Sequence, residues 1–147
     1  MASIGATSGP SASEEAGKAD VELRVPADRA YASVLRTTTA GLAARLDFPI
    51  DDIEDLRIAV GEACAMVLGE AEPGTDLVCR FYQQPGELTV SVTGSVDGEI
   101  EPDEDSFAWQ VLTTLATTAS ATTDDSSFTV SLSMVSSVAS SLQEHGH

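Results

Sequence analysis

Glu62 and Met66 stand four residues apart in the run "DDIEDLRIAVGEACAMVLGE", residues 51–70. On a helix that spacing puts both side chains on one face, one turn apart. Glu62 is an acid among apolar neighbours: Ile58, Ala59, Val60, Ala63, Cys64, Val67 and Leu68. An acid so placed either serves a ligand or sits hydrated at the rim of a cleft. Met66 beside it is a thioether, a soft ligand and a poor partner for a hard cation such as Mg²⁺. Other chemistry-bearing side chains are few. Cys64 and Cys79 are not enough for a disulfide framework and read as buried, reduced thiols, which suits a cytoplasmic protein. His145 and His147 lie in the terminal "QEHGH"; a metal site needs more ligands than these, so none is expected.

A helix must hold Glu62 and Met66, and its signals are present. Pro49 starts it, and Asp51, Asp52, Glu54 and Asp55 crowd its first turns, where the helix dipole favours negative charge. It runs to about Glu70, and "EPG" at 72–74 ends it. Upstream, "DVELRVP" alternates Val21, Leu23 and Val25 against Glu22 and Arg24, a half-buried strand stopped by Pro26. "ADRAYASVLRTTTAGLAARLDF" then spaces Tyr31, Val34, Leu35, Leu42 and Leu46 as a helix, opened at Ala27 or Asp28 and closed by the Asp47–Pro49 turn. Downstream, "TDLVCRFYQQPGELTVSVTGS" reads as a β-hairpin turning at "QQPGE", with Leu77, Cys79 and Phe81 facing one way and Leu88, Val90 and Val92 sharing a face of the return strand. "VDGEIEPDED" is a polar acidic loop. "SFAWQVLTTLATTAS" predicts a third helix, and "SSFTVSLSMV" a last strand with Phe128, Val130, Leu132 and Met134 on one face. Strand, helix, helix, strand, strand, helix, strand predicts an α/β two-layer sandwich: three helices on one face of a mixed, mostly antiparallel sheet.

The length of 147 residues suits one domain, placed at 20–136. Residues 1–19 are small, polar and aperiodic and read as a disordered tail; the Ser-rich 137–147 reads as a flexible one. The tail has no apolar signal-peptide core, and no stretch approaches the about 18 apolar residues of a membrane span. Net charge is −17, with only seven Lys and Arg. That excludes a duplex-binding role, which needs cations against phosphates, and favours basic protein partners.

"DLRIAVGEACAMVL" resembles the N-box helix of the GHKL (histidine kinase-like ATPase) superfamily, and most closely its anti-sigma branch, the RsbW-like serine-protein kinases, in their actinobacterial form. "VSVTGS" falls where that family has a strand ending in Asp-x-Gly, and "SFAWQVLTTLATTAS" falls at its third helix. "YASVLRTTTAGLAARLDF" is similar to its first helix, where an Arg near the start belongs to the partner-facing surface. Arg36 holds that position, with Arg29 and Tyr31 nearby. The resemblance implies a Bergerat-like fold and a ligand cleft at Glu62, Met66, Thr93, Gly94, Phe107 and Trp109.

It also exposes departures. Glu62 holds the family's general-base position, but Met66 replaces the Asn that ligates Mg²⁺. Thr93 stands for the Asp that takes the adenine amino group, with Gly94 one residue early and Ser95 at the Gly position. "DEDSFAWQ" lacks the glycines that bring backbone N–H groups to phosphates and carries three acids. A degenerate ATP site follows, with no catalytic residue and no cofactor; ATP and magnesium are not expected. The implied function is an anti-sigma factor that sequesters an alternative sigma factor and is released by a STAS-type anti-anti-sigma partner, without direct nucleic-acid or membrane contact. Homodimerisation rests on the resemblance alone. Two alternatives stay open: an active serine kinase of the anti-anti-sigma factor, and a sensor whose cleft binds another nucleotide, such as a nucleotide sugar.

Overall fold

The structure, a computed structural model, describes residues 18–138, so the expectations for 1–17 and 139–147 lie outside the described residues. Strand β1, Val21–Pro26, buries Val25 and exposes Glu22 and Arg24. Asp28 caps a 3-10 turn at Arg29–Tyr31, its Oδ1 accepting from Ala30 N at 2.8 Å. The turn leads into α1, Ala32–Arg45, which turns Leu35, Thr39 and Ala43 inward at the four-residue spacing of one helix face. Thr39 is buried, but its Oγ1 donates to Leu35 O at 2.8 Å, so no polar group is orphaned there. Asp47, at φ 62°, reverses the chain.

Helix α2, Ile50–Leu68, starts behind Pro49 with Asp51 and Asp52 in its first turn. Leu56, Ala59, Val60, Ala63, Cys64 and Val67 form its buried stripe, three and four residues apart. Val60, Ala63 and Val67 thus face inward as their spacing predicts. Strands β2, Asp76–Gln84, and β3, Glu87–Ser95, make the hairpin, with Gly86 at φ 75° in its turn. Helix α3 is Phe107–Leu115, β4 is Thr118–Thr123, and β5 is Ser127–Val135.

The strands lie in the order β1-β2-β3-β5-β4. Their inward residues, Leu77, Cys79, Phe81, Leu88, Val90, Val92, Phe128, Val130 and Leu132, meet the helices in one aliphatic core. Helix α2 packs on β3 and β5, with α1 and α3 beside it. The expected sandwich is therefore present, with two differences of detail. Every pairing among the described residues is antiparallel, so the sheet is not mixed. The stretch "SFAWQVLTTLATTAS" splits: the helix ends at Leu115 and its tail becomes β4. The apolar three-four spacing stops at Leu115, and Thr118, Ala119, Ser120, Ala121 and Thr122 alternate, with β-branched Thr favouring extended backbone.

The far face of the sheet is hydroxyl-rich. Thr89, Ser91 and Thr93 of β3, Thr129, Ser131 and Ser133 of β5, and Thr118, Ser120 and Thr122 of β4 share it by register. The two edges differ. β1 carries Glu22 and Arg24, which pair with Arg80 at 3.2 Å and Asp76 at 3.9 Å on β2. β4 carries no charge at all.

Candidate functional site

A cleft of about 230 Å³ opens beside the C-terminal half of α2. Ala65, Met66 and Glu70 form one wall; Ile100, Glu101, Pro102 and Asp103 of the following loop form the other. Ser106 and Ala108 at the start of α3 close one end, and Phe128 of β5 forms the floor.

Local hydrogen bonds fix these walls. Val96 N donates to Ser126 O at 3.0 Å and Gly98 N to Asp125 O at 3.0 Å, tying the loop to the β4–β5 turn. Gly98 sits at φ 91°, which glycine adopts without steric strain. Asp103 Oδ1 accepts from Asp105 N at 3.0 Å, and Ser106 Oγ caps α3 by accepting from Trp109 N at 3.1 Å. Asp124 braces the turn before Phe128: backbone N–H groups of Ser126 and Ser127 donate to its carboxyl, each at 2.8 Å, and hold it below the usual carboxylate range.

Of the cleft residues expected from sequence, Met66 lines it. Glu62, one turn earlier, is half-buried and outside the lining. Thr93 lies on the hydroxyl-rich far face, its Oγ1 2.8 Å from Thr129 Oγ1, with the sheet between it and α2. The pleat explains the correction. Side chains alternate along β3, so a one-residue slip moves a side chain to the opposite face. The inward neighbour is Gly94, and it touches the core closely: a Cβ there would stand 2.7 Å from Val67 Cγ1 and 3.3 Å from Leu77 Cδ2. Val67 occupies the space an acid at this position would need. Phe107 and Trp109 are also outside the lining: Phe107 is 79% exposed, and Trp109 packs half-buried against the core. The helix places their neighbours Ser106 and Ala108 in the cleft instead.

Sequence reasoning missed Glu70, Ile100, Glu101, Pro102, Asp103 and Phe128 as cleft residues. A signal existed. Ile100 and Pro102 interrupt the acid run "DGEIEPDED", and apolar residues inside a charged loop need something to pack on.

The three residues expected on the partner surface separate. Arg29 is exposed and Tyr31 is 38% exposed, both at the start of α1. Arg36 is half-buried and lies along α2: its Cδ is 3.4 Å from where a Cβ on Gly61 would stand. Its charge also acts on Cys64, where burial pushes the thiol up and Arg36 opposes that shift. Burial, then the neighbouring Cys64, pushes the Cys79 thiol up to about 12. Both cysteines are buried and free, as their placement in helix and strand predicts.

No protein-family model matches this sequence. The serine-protein kinase RsbW of Bacillus cereus is 35% identical over 81 residues, covering 55% of this chain and 44% of that protein. The RsbW kinase of Halalkalibacterium halodurans is 42% identical over 77 residues, covering 50% of this chain and 48% of that protein. That of Bacillus thuringiensis is 43% identical over 81 residues, covering 55% and 44%. The chain thus spans just under half the length of these curated relatives. Among solved structures, the RsbU and RsbW domains of Rv1364c from Mycobacterium tuberculosis superpose with a TM-score of 0.59 at 15% identity, over 79% of this chain and 32% of that one. At that identity the likeness establishes the fold, and the curated relatives supply the sequence kinship. Over about half its length the chain is similar in sequence to the RsbW serine-protein kinases, and over most of it the chain shares the fold of the RsbU and RsbW domains of Rv1364c.

Proposed function

We propose that this chain is an anti-sigma factor that works by sequestration. It holds a sigma factor of RNA polymerase, gives it up when a STAS-type anti-anti-sigma protein competes, and transfers no phosphate. The names of its curated relatives support the setting; the lining of the cleft supports the loss of chemistry.

The residues at the cleft do not fit Mg·ATP. Phosphoryl transfer depends on a hard cation and on positive groups that neutralise the phosphates. Mg²⁺ takes oxygen ligands, and the cleft offers a thioether, Met66, on the α2 wall. Glu70, Glu101 and Asp103 line it with no Lys or Arg among the lining residues. The inward position of β3 is Gly94, packed against Val67, with no acid for an adenine amino group. Glu62 has neither an ion pair nor a side-chain hydrogen bond among the described residues to orient it as a base.

Sequestration needs no catalytic group. A net charge of −17 complements the basic surfaces with which a sigma factor meets DNA, and complementary fields speed and select such encounters. Arg29 and Tyr31 are exposed at the start of α1 and offer the contact, with Arg36 supporting them from the α1–α2 seam. This setting is cytoplasmic; no helix among the described residues is long and apolar enough to cross a membrane.

The test is a paired assay with the cognate sigma factor and STAS protein. The full chain represses sigma-directed transcription in vitro and the STAS protein relieves it, while labelled ATP leaves no phosphoserine on the STAS protein. Phosphate transfer at a rate above a no-protein control refutes the non-catalytic reading. Unchanged transcription refutes sequestration.

A further inference from the structure

Strand β4 stands last in the sheet order, so one side of its backbone has no neighbouring strand among the described residues. The hydrogen-bond register tells which groups stand open. Asp124 N donates to Ser127 O at 3.0 Å, and Val96 N to Ser126 O at 3.0 Å. Alternation from these pairs turns the backbone groups of Thr118, Ser120 and Thr122 toward β5. The N–H and C=O groups of Ala119, Ala121 and Thr123 then face the open edge. On the helix side of the sheet, Ala119 and Ala121 are half-buried against the core. Helix α3 covers this margin only in part. Ala108 faces the cleft beside α2. Trp109, about 100° further round the helix, takes the flank away from it and is half-buried against the same core. Unpaired backbone beside a half-covered apolar margin suits an added strand: main-chain bonds hold it, and alternate side chains fill the margin. Charge selects the strand. Asp124 and Asp125 follow β4 directly, and the hydrogen bond from Gly98 N to Asp125 O ties the acidic loop 97–105 to the same end. An antiparallel strand enters at that end, so cations at its start meet these acids.

We propose that β4 is a docking edge for an extended segment of a basic partner protein, in which Lys or Arg leads into alternating aliphatic and hydroxyl residues. The segment pairs antiparallel with β4. Its aliphatic side chains lie on Ala119, Ala121 and Trp109, and its hydroxyl side chains extend the far face of the sheet. This goes beyond sequestration and does not rest on it. Arg29 and Tyr31 follow β1, the opposite edge strand, and the test reads neither transcription nor phosphate transfer.

Trp109 is the one tryptophan of the chain and reports on this edge by its emission. The experiment titrates the full chain with the peptide acetyl-Lys-Lys-Val-Thr-Val-Thr-Val-amide, and a saturable change in Trp109 emission is expected. N-methylation of the valines, whose N–H groups face β4, weakens binding at least tenfold. N-methylation of the threonines, whose N–H groups face away, leaves it intact, which separates strand pairing from the general attraction of an acidic protein. Glu-Glu in place of Lys-Lys weakens binding at least tenfold. Ala121→Pro removes one edge donor, a change that edge strands tolerate, and abolishes binding with melting unchanged; the two N-methylated peptides make the same test on the unaltered protein. The proposal is overturned by any of four results: no emission change at millimolar peptide, equal weakening by both N-methylation patterns, equal binding of the Glu-Glu peptide, or a dimer in sedimentation of the chain alone that Ala121→Pro makes monomeric, which assigns the edge to a second copy.

Discussion

The contact between Gly94 and Val67 can be measured as a double-mutant cycle. A Cβ on Gly94 would stand 2.7 Å from Val67 Cγ1, against the about 3.5–4.0 Å at which two carbons attract. Overpacking of that kind costs about 1–3 kcal/mol, partly offset by about 0.4–1 kcal/mol from stiffening the unfolded chain. Gly94→Ala is therefore destabilising by about 1–2 kcal/mol. Val67→Ala removes two methyl groups from a fully buried site and costs about 2 kcal/mol, below most of the Leu→Ala range because fewer atoms are lost. Together the two changes do not add. With Cγ1 gone, the methyl group that Gly94→Ala introduces enters the space it vacated, so the double variant resembles Val67→Ala alone and the coupling is about 1 kcal/mol or more. Urea unfolding of the wild type and three variants, with constant m, gives the four free energies. Additivity within about 0.5 kcal/mol, the scatter usual for independent sites, refutes the packing argument and with it the claim that Val67 leaves no room for a side chain at Gly94.

Val60→Asp places a carboxylate in a fully buried, aliphatic position; the expected outcome is loss of the soluble fold, and a normal melting curve would mean the wrong face of α2 is inward. The raised Cys79 thiol predicts an alkaline limb. The folded protein keeps a proton there that the unfolded chain releases, so stability is whole below about pH 9 and falls as pH rises toward about 12, by at most about 1.4 kcal/mol per pH unit for one proton. Cys79→Val flattens that limb in urea titrations at stepped pH, and an unchanged slope refutes the assignment. Under the proposed sequestration, Tyr31→Ala weakens sigma-factor binding by about 2 kcal/mol, as loss of an aromatic anchor does, with melting unchanged; equal affinities by surface plasmon resonance remove Tyr31 from the proposed interface.

What the sequence made legible was what one period could carry. The helix around Glu62 and the hairpin of Leu77–Phe81 with Leu88–Val92 announce themselves by long, regular apolar spacing and by Pro49 and Gly86 at their ends. Strand β4 did not, because Ala119 and Ala121 are too small to mark an inward face against Ser and Thr. Thr93 was expected at the cleft and its side chain lies on the far face beside Thr129, since side chains alternate along a strand and the sequence motif alone did not say which face position 93 takes. The cleft itself was illegible as a unit: Glu70, Glu101 and Phe128 come from three distant segments. Arg36 could be placed on its helix, but only the packing of α1 on α2 shows that it lies over Gly61.

The uncharged edge of β4 has a colloidal consequence. Thr118–Thr123 offers a neighbouring molecule a row of backbone donors and acceptors with no lysine, proline or inward charge to turn it away. What keeps copies apart there is long-range: two molecules of charge −17 repel before their edges meet. The reach of that repulsion is about 10 Å in 0.1 M salt but about 3 Å in 1 M, less than the roughly 4.8 Å between paired strands. Ionic strength, rather than temperature or concentration alone, is then the variable that decides whether this edge stays single, and the acidity that suits a basic partner also sets the shelf life of the protein in solution.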